Sequence, residues 1–299
     1  MMKNLKEVKK IKGYVIGKTQ GFYEIKSKDK IYNLKLKGNL KKTNNKLNCV
    51  IGDYVEFDET INFISKRKNI LIRPLVANVD DVAMVYSCMD PKFDINLLQK
   101  NLLWIDMQHV NRILILNKVE LLTKDELEKF IDNLKKIFND LLIFPISLKE
   151  NIGLTELKKF LEKKHIVLSG NTGVGKSSLV NFLVNEPLVK VGEISRKTKK
   201  GKNTTIITKY FENGDIKIFD TPGYSSIEFP KFKEKKEVME WFLEFSPYLG
   251  ECKFRDCIHI NEPNCSVKNA VENGKINIIR YEFYKSILEK KEGDWCGKY

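Results

Sequence analysis

The chain has 299 residues, 42% of them hydrophobic and 31% charged, which excludes a chain too polar to build a core and suggests two or three domains. No apolar run is long enough to span a bilayer, and the Lys-rich first twelve residues lack the apolar region of a secretory signal. We therefore expect a cytoplasmic protein without a membrane segment, whose six cysteines do not form disulfides.

The net charge of +14 is unevenly distributed along the chain. Residues 1–70 contain 17 Lys and Arg against 7 Asp and Glu, an excess of +10. A Lys-rich composition throughout would explain the total, but not its concentration at one end. The N-terminal module is therefore a candidate binder of polyanions, because lysines that neutralise phosphates release counterions.

Residues 12–64 have the pattern of short strands separated by turns. No helical periodicity interrupts them, and residues 37–46 are predicted to form an exposed basic loop. Five or so strands in this length favour a small OB-like β-barrel, a common RNA-binding fold, over residues 1–70. Apolar and polar residues alternate in four segments: 13–16, 21–25, 30–34 and 52–57.

From Asn78 the pattern changes to strands alternating with helices, which predicts a parallel or mixed α/β sheet covered on both faces. We place this domain at residues 71–226. Its strands are predicted at 82–86, 113–116, 141–146, 166–168, 206–211 and 215–219, and its helices at 95–108, 123–138, 154–163 and 177–184.

A complete P-loop pattern stands between a predicted strand and a predicted helix, the context that makes the motif specific. Its glycines let backbone N–H groups converge on phosphate oxygens. Lys176 is predicted to reach the β- and γ-phosphates, and Ser177 to hold magnesium. The motif alone does not separate ATP from GTP. The predicted phosphate-binding residues are Gly170, Asn171, Thr172, Gly173, Val174, Gly175, Lys176, Ser177 and Ser178.

A guanine-binding motif, Asn117, Lys118, Val119 and Glu120, follows the strand that ends at Leu116. A carboxylate here can accept hydrogen bonds from N1–H and the 2-amino group of guanine, which adenine does not offer together. Ligands of such sheets bind at the carboxyl ends of the strands, which is where this motif stands. Ser147, after the next strand, is predicted to lie in the loop that packs on the base.

Switch residues are predicted on both sides of a hairpin. Asp220 and Gly223 match the Asp-x-x-Gly pattern, so Asp220 would act on magnesium through water and the Gly223 N–H would contact the γ-phosphate. Thr205 stands where the magnesium-binding threonine of switch I belongs. The guanine motif precedes the P-loop in this chain, whereas in ordinary GTPases it follows the P-loop. The domain is therefore predicted to be circularly permuted.

Four metal-ligating side chains fall within 14 residues near the C-terminus: Cys252, Cys257, His259 and Cys265. Three thiolates and one imidazole are a common structural zinc set, and four protein ligands leave no open position for catalysis. The alternative is a few buried thiols beside a surface histidine. We predict a helical zinc-binding module over residues 227–299, with one zinc ion per chain.

Together these motifs resemble those of the ribosome small-subunit-dependent GTPase A (RsgA) family, circularly permuted bacterial assembly GTPases. The resemblance covers nearly the whole chain, including residues 52–55 in the barrel and 73–80 at the joint. It implies slow, magnesium-dependent GTP hydrolysis stimulated by the small ribosomal subunit, binding to its rRNA, late maturation of that subunit and release of another assembly factor. We expect a monomer.

Two positions depart from the family pattern. Glu120 stands where the family usually has Asp, and Asn203 stands where it usually has a His before the switch I threonines. That His is regarded as the residue that orients the attacking water. Asn203 can hydrogen-bond a water but cannot take its proton. The resemblance thus implies that Asn203, Thr205, Asp220, Gly223 and Lys176 carry catalysis.

Two other functions stay open at this point. One is a GTP-dependent rRNA-binding checkpoint with little turnover, which Asn203 keeps in contention. The other is a P-loop ATPase or RNA helper, which the guanine motif argues against.

Overall fold

A computed structural model describes residues 10–41, 48–184, 208–220 and 232–289. Over these ranges, no helix combines the length and the apolar character required to cross a bilayer. Each of the three sequence segments predicted above contributes to hydrophobic cores around its sheet or helices. The order of the strands explains how the nucleotide motifs meet.

The N-terminal segment forms a five-stranded antiparallel sheet with the order β3-β2-β1-β4-β5. A parallel bridge between Leu36 and Ile61 joins the chain after β3 to β5, so the sheet closes into a barrel. Its core contains the inward-facing Val15, Ile25 and Phe57, all 0% exposed. The strands are β1 Ile11–Thr19, β2 Phe22–Ser27, β3 Lys30–Leu34, β4 Tyr54–Phe57 and β5 Ile61–Ile64.

The prediction of an exposed basic loop over residues 37–46 is partly wrong. Residues Gly38–Lys41 form one turn of helix, α1, and residues 42–47 lie outside the described ranges. Leu40 packs against the barrel core, and its N–H donates to the carbonyl of Lys37 at 3.0 Å. Burial of this single apolar side chain explains a turn that the polar sequence around it does not suggest.

A short hairpin, β6 Ile70–Ile72 and β7 Leu75–Ala77, connects the barrel to the next sheet. The sequence analysis treated this segment only as a joint. Leu71 and Val76 are fully buried in the same core as the central sheet, so the hairpin fixes the barrel against it.

The central sheet has the order β10-β9-β8-β11-β13-β12, and β12 alone is antiparallel to its neighbour. Hydrophobic cores cover both faces, which confirms the predicted architecture. The strands are β8 Asp81–Ser87, β9 Asn111–Asn117, β10 Leu142–Pro145, β11 His165–Gly170, β12 Lys209–Asn213 and β13 Ile216–Asp220. The helices are α2 Ile95–Asp106, α3 Lys124–Ile137, α4 Leu154–Leu161 and α5 Lys176–Val184.

This topology brings the motifs to one edge. From the central strand β8 the chain first adds β9 and β10 on one side, then crosses to β11 on the other side. The crevice for ligands in such sheets lies at the carboxyl ends of the strands where the direction of winding reverses. Three strands end there in motif residues: β9 at Asn117, β11 at Gly170 and β13 at Asp220.

The C-terminal segment contains α6 Lys235–Met239, a 3-10 helix Leu243–Tyr248, α7 Ser266–Glu272 and α8 Ile278–Leu288. Its aromatic core includes Phe242, Phe245 and Tyr284, all 0% exposed. Arg280 attaches this segment to the GTPase sheet, because its guanidinium contacts Glu244 at 2.6 Å and the Gln99 amide oxygen of α2 at 3.3 Å.

The barrel meets the central sheet through a buried polar cluster. The hydroxyl of Tyr14 lies 3.1 Å from Nδ1 of His165, and the same nitrogen lies 3.1 Å from the carbonyl of Asn78. The ring of Tyr14 also packs against Phe219, the residue before Asp220. No metal-binding residue accompanies His165 in the sequence, and its role here is to join two domains.

Candidate nucleotide site and metal centre

The P-loop depends on glycine at two positions for steric reasons. A Cβ at Gly170 would lie 2.5 Å from the carbonyl of Val85, so another side chain would force β11 away from β8. At Gly175, where φ is +94°, a Cβ would lie 2.2 Å from the side-chain nitrogen of Asn117. The loop therefore packs directly on the neighbouring strand and on the guanine motif.

Lys176 begins α5, and its amine lies 3.1 Å from a carboxylate oxygen of Asp220. Both side chains are less than a fifth exposed. Ser177 and Ser178 follow in the first turn of the helix and are exposed. A cation, a carboxylate and a helix N-terminus converge here, which is the arrangement that binds a magnesium–polyphosphate complex.

The guanine motif is joined to the P-loop by one buried hydrogen bond. Asn117 is 2% exposed, and its side-chain N–H donates to the carbonyl of Val174 at 2.8 Å. Among the described residues, no group bonds to the buried Oδ1 of Asn117 or to Oε2 of Glu120. Two buried acceptor oxygens beside the P-loop suit a base that offers N–H donors, because a buried acceptor without a partner is costly.

The backbone around the motif is fixed on both sides. Lys118 has a left-handed φ of 65°, and its carbonyl accepts the thiol of Cys88 at 2.9 Å. The N–H of Val119 donates to the carbonyl of Ile146 at 3.2 Å. Ser147, 0% exposed, accepts the N–H of Glu150 at 2.9 Å and so shapes the predicted base loop.

One segment near the site had no sequence signal. The loop after β8 brings Asp90 within 3.7 Å of the Lys118 amine and Pro91 close to the P-loop at Gly173. Only the position of this loop at the carboxyl end of a buried strand could have indicated it. Asn203, Thr205 and Gly223 lie outside the described residues.

The four C-terminal ligand residues lie together. Their ligand atoms are all within 4.8 Å of one another, and Nδ1 of His259 lies 3.3 Å from the sulfurs of Cys257 and Cys265 and 3.5 Å from that of Cys252. The sulfurs of Cys252 and Cys265 are 3.8 Å apart. A tetrahedral zinc ion with ordinary bond lengths separates two sulfurs by about 3.8 Å, and sulfur from nitrogen by about 3.6 Å.

Two tyrosine hydroxyls outside the Cys/His cluster hold the turn that carries His259. Tyr281 donates to the carbonyl of His259 at 2.7 Å, and Tyr284 to that of Ile258 at 2.8 Å. The carboxylate of Glu262 accepts two N–H groups of the same turn. Burial lowers the pKa of His259, which keeps the imidazole in the neutral form that binds metals. The four residues are therefore placed so that they could hold a metal ion.

A family model described as RsgA GTPase matches residues 63–230, and one described as RsgA N-terminal domain matches residues 12–62. The chain belongs to the RsgA family. It is therefore a GTPase, which argues against the ATPase alternative. A Fusobacterium nucleatum protein named small ribosomal subunit biogenesis GTPase RsgA is 43% identical over 279 residues, covering 92% of this chain and 98% of that protein. A Geobacillus protein of the same name is 37% identical, covering 93% and 96%.

Two solved structures share the fold of this RsgA-family chain. YjeQ from Thermotoga maritima has a TM-score of 0.76 at 31% identity and covers 94% of this chain and 100% of that one. YloQ, described as a circularly permuted GTPase, has a TM-score of 0.74 at 25% identity, with full coverage of both chains. The predicted permutation and N-terminal domain are thereby confirmed.

Proposed function

We propose that this chain is a GTPase of small ribosomal subunit biogenesis, the function named for its relatives. The observation that supports it best is the hydrogen bond from Asn117 to Val174, which joins a guanine motif and a P-loop in permuted order. The partners are GTP and GDP, the small ribosomal subunit and its rRNA. The protein acts as a monomer in the cytoplasm, where that subunit matures, and it helps to release another assembly factor.

In this proposal each site residue has one task. Asn117 and Glu120 select guanine, while Lys118, Val119 and Ser147 hold the base in place. Residues 170–178 bind the phosphates, with Lys176 on the β/γ oxygens. Magnesium, when bound with GTP, neutralises charge on the phosphates, and Ser177, Thr205 and Asp220 are the residues that would hold it.

The hydrolytic water is assigned to switch I. Asn203 orients it, and the Gly223 N–H contacts the γ-phosphate. Because an amide cannot accept the proton of the water, intrinsic hydrolysis is slow and the ribosome supplies most of the rate by ordering switch I. A checkpoint that acts by GTP occupancy, with little turnover, is the alternative that Asn203 favours.

Each of the three domains has a separate function in this proposal. Residues 1–70 bind RNA, residues 71–226 bind and hydrolyse GTP, and residues 227–299 form a module around one structural zinc ion. Zinc is favoured over other metals because three thiolates and an imidazole, at the distances observed, suit tetrahedral coordination.

Single-turnover hydrolysis of GTP with and without purified small subunits tests the proposal. We expect a slow basal rate and a large stimulation, both absent in Lys176→Ala, which loses the charge on the β/γ oxygens. Tight GTP-dependent binding to the subunit without stimulated hydrolysis would instead identify the checkpoint. If the protein shows neither GTP-dependent binding to the subunit nor stimulated hydrolysis, both candidate functions are contradicted.

A further inference from the structure

The barrel carries a groove beside its junction with the GTPase sheet. The groove has a volume of about 420 Å³ and is centred on β1 and β4. Its lining includes Lys12, Tyr14, Lys26, Lys28, Tyr54 and Glu56. The volume falls in the range of about 300–1,000 Å³ that is usual for ligand-binding clefts.

The wall of the groove is fixed. The hydroxyl of Ser27 donates to the carbonyl of Lys12 at 2.7 Å, which ties the end of β2 to the start of β1. Lys26 forms an ion pair with Glu212 of β12, across the domain junction. Tyr14 forms part of the lining and contacts His165 below it. These contacts join the lining of the groove to β1, β2 and β12.

The lining of the groove contains three lysines and one carboxylate, so its net charge is positive. Lys28 is exposed and makes no ion pair with any residue that the structure describes. The side chain of Lys12 is 84% exposed and approaches one carboxylate, Glu56, only to 3.9 Å. Lys10 and Lys66, also exposed, lie within two residues of the lining in sequence.

An aromatic surface accompanies this charge. Tyr54 is 43% exposed, although its hydroxyl lies 3.4 Å from Nε2 of His165, so its ring is held in place while part of it faces the groove. Lysines that contact phosphates, beside a fixed aromatic ring on which a base or ribose can pack, are the chemistry of single-stranded nucleic-acid binding. A protein partner would more often require an apolar centre.

We propose that this groove binds the backbone of single-stranded RNA, with Lys12 and Lys28 on successive phosphates. The inference rests on the proposed rRNA-binding function and gives it a location. The groove is a different location from the basic segment 37–46, which the sequence alone suggests as the RNA contact. It also puts the RNA next to Tyr14, which touches both His165 and Phe219 of the GTPase sheet.

The test compares two charge-reversal pairs in the full chain. Lys12→Glu with Lys28→Glu alters the groove, and Lys124→Glu with Lys129→Glu makes the same change in charge on the exposed face of α3. The probe is a 12-nucleotide oligouridylate, titrated over a range of salt concentrations. Each lost phosphate contact should lower the salt slope by about 0.7, so the groove pair should lose about 1.4 in slope and roughly 25-fold in affinity at 0.1 M salt.

A substitution that should strengthen RNA binding controls for misfolding, because a misfolded protein would not bind more tightly. Glu56→Gln removes the carboxylate in the groove and should tighten RNA binding, whereas Glu128→Gln on α3 should leave it unchanged. Basal GTP hydrolysis and the melting temperature should stay at the parent values in all four variants, because none of these residues contacts the nucleotide motifs.

Three outcomes overturn the inference. The first is an unchanged slope in the groove pair, while reversal of Lys41, Lys42 and Lys46 lowers it. The second is an equal loss in the α3 pair, which would indicate a net-charge effect. The third is normal binding of the oligonucleotide with lost binding to small subunits, which would assign the groove to a ribosomal protein.

In each of these cases the parent protein still binds small subunits, so the proposed function stands. If the proposed function itself is wrong, small subunits will not stimulate GTP hydrolysis by the parent protein.

Discussion

The side-chain N–H of Asn117 donates to the backbone carbonyl of Val174 at 2.8 Å, across 57 positions of sequence. Asn117 ends β9 and Val174 lies in the loop after β11, and both strands run parallel on either side of β8. Their carboxyl ends therefore meet at one edge, whichever motif comes first in the chain. This geometry explains why circular permutation leaves a GTP site intact.

Gly175→Ala should lower GTP affinity by at least about 10-fold. The added Cβ would lie 2.2 Å from the Asn117 amide, so that amide must move and its buried bond to Val174 is lost, at about 1–3 kcal/mol. Gly173→Ala is the matched control, since Gly173 also has a positive φ of 85° but its nearest contact would be 3.7 Å away. Equal losses in both variants, measured by fluorescent-nucleotide titration, would attribute the effect to backbone strain alone.

GTP and GDP should bind more tightly than ATP and ADP, because Glu120 presents a buried acceptor to the N–H groups of guanine. Glu120→Ala should weaken GTP binding by about 10- to 100-fold, the value of a charge-assisted hydrogen bond, and leave ATP binding unchanged. Glu120→Asp should retain the preference. Comparable competition by ATP and GTP in the parent protein would contradict the assignment.

The protein should contain one zinc ion per chain, measurable by metal analysis. Chelation should expose the aromatic core around Phe245 and Tyr284 and loosen residues beyond about 230, because the ligands hold the turn on which those rings pack. Hydrogen exchange should show protection lost there but retained in the P-loop. Cys257→Ser should behave like the chelated protein, and Cys49→Ser, outside the cluster, should keep its metal. A folded C-terminal segment without metal would refute the prediction.

The free energy of unfolding should fall as the pH drops from about 7 to 5. Burial, and then the charge of Lys217, lower the pKa of His165, so the unfolded chain takes up a proton that the folded chain resists. Stability from this group is present above the unfolded pKa of about 6.5 and is lost below it. Urea titrations should show a flatter pH profile for His165→Gln. The prediction fails if His165→Gln keeps the pH profile of the parent.

Hydrolysis on the small subunit should depend on Asn203. Asn203→His should preserve or raise the rate, since imidazole can orient the water and accept its proton. Asn203→Ala should lower the stimulated rate by more than the basal one. If Asn203→Ala hydrolyses GTP on the subunit as fast as the parent, another group positions the water, and rRNA would be the first candidate.

Features that depend on local spacing could be predicted from the amino-acid sequence alone. The P-loop, the permuted order of the motifs and the four metal ligands each need fixed residue types within a short segment, because backbone N–H groups or ligand atoms must converge on one point. Alternating hydrophobicity likewise revealed the barrel and the α/β sheet. The hairpin at residues 70–77 and the helical turn at Gly38–Lys41 were not predicted, because three or four residues are too few to show a hydrophobic period.

Contacts between residues far apart in the chain could not be predicted in this way, because they depend on the fold. The ion pair of Lys176 with Asp220, the contact of Tyr14 with His165 and the groove beside β1 all join positions whose separation carries no pattern. They follow from strand order and register, which fix where each side chain points. A shift of one residue would turn every side chain of a strand to the other face. Local spacing therefore supplies the chemical groups, and the registered sheets supply their geometry.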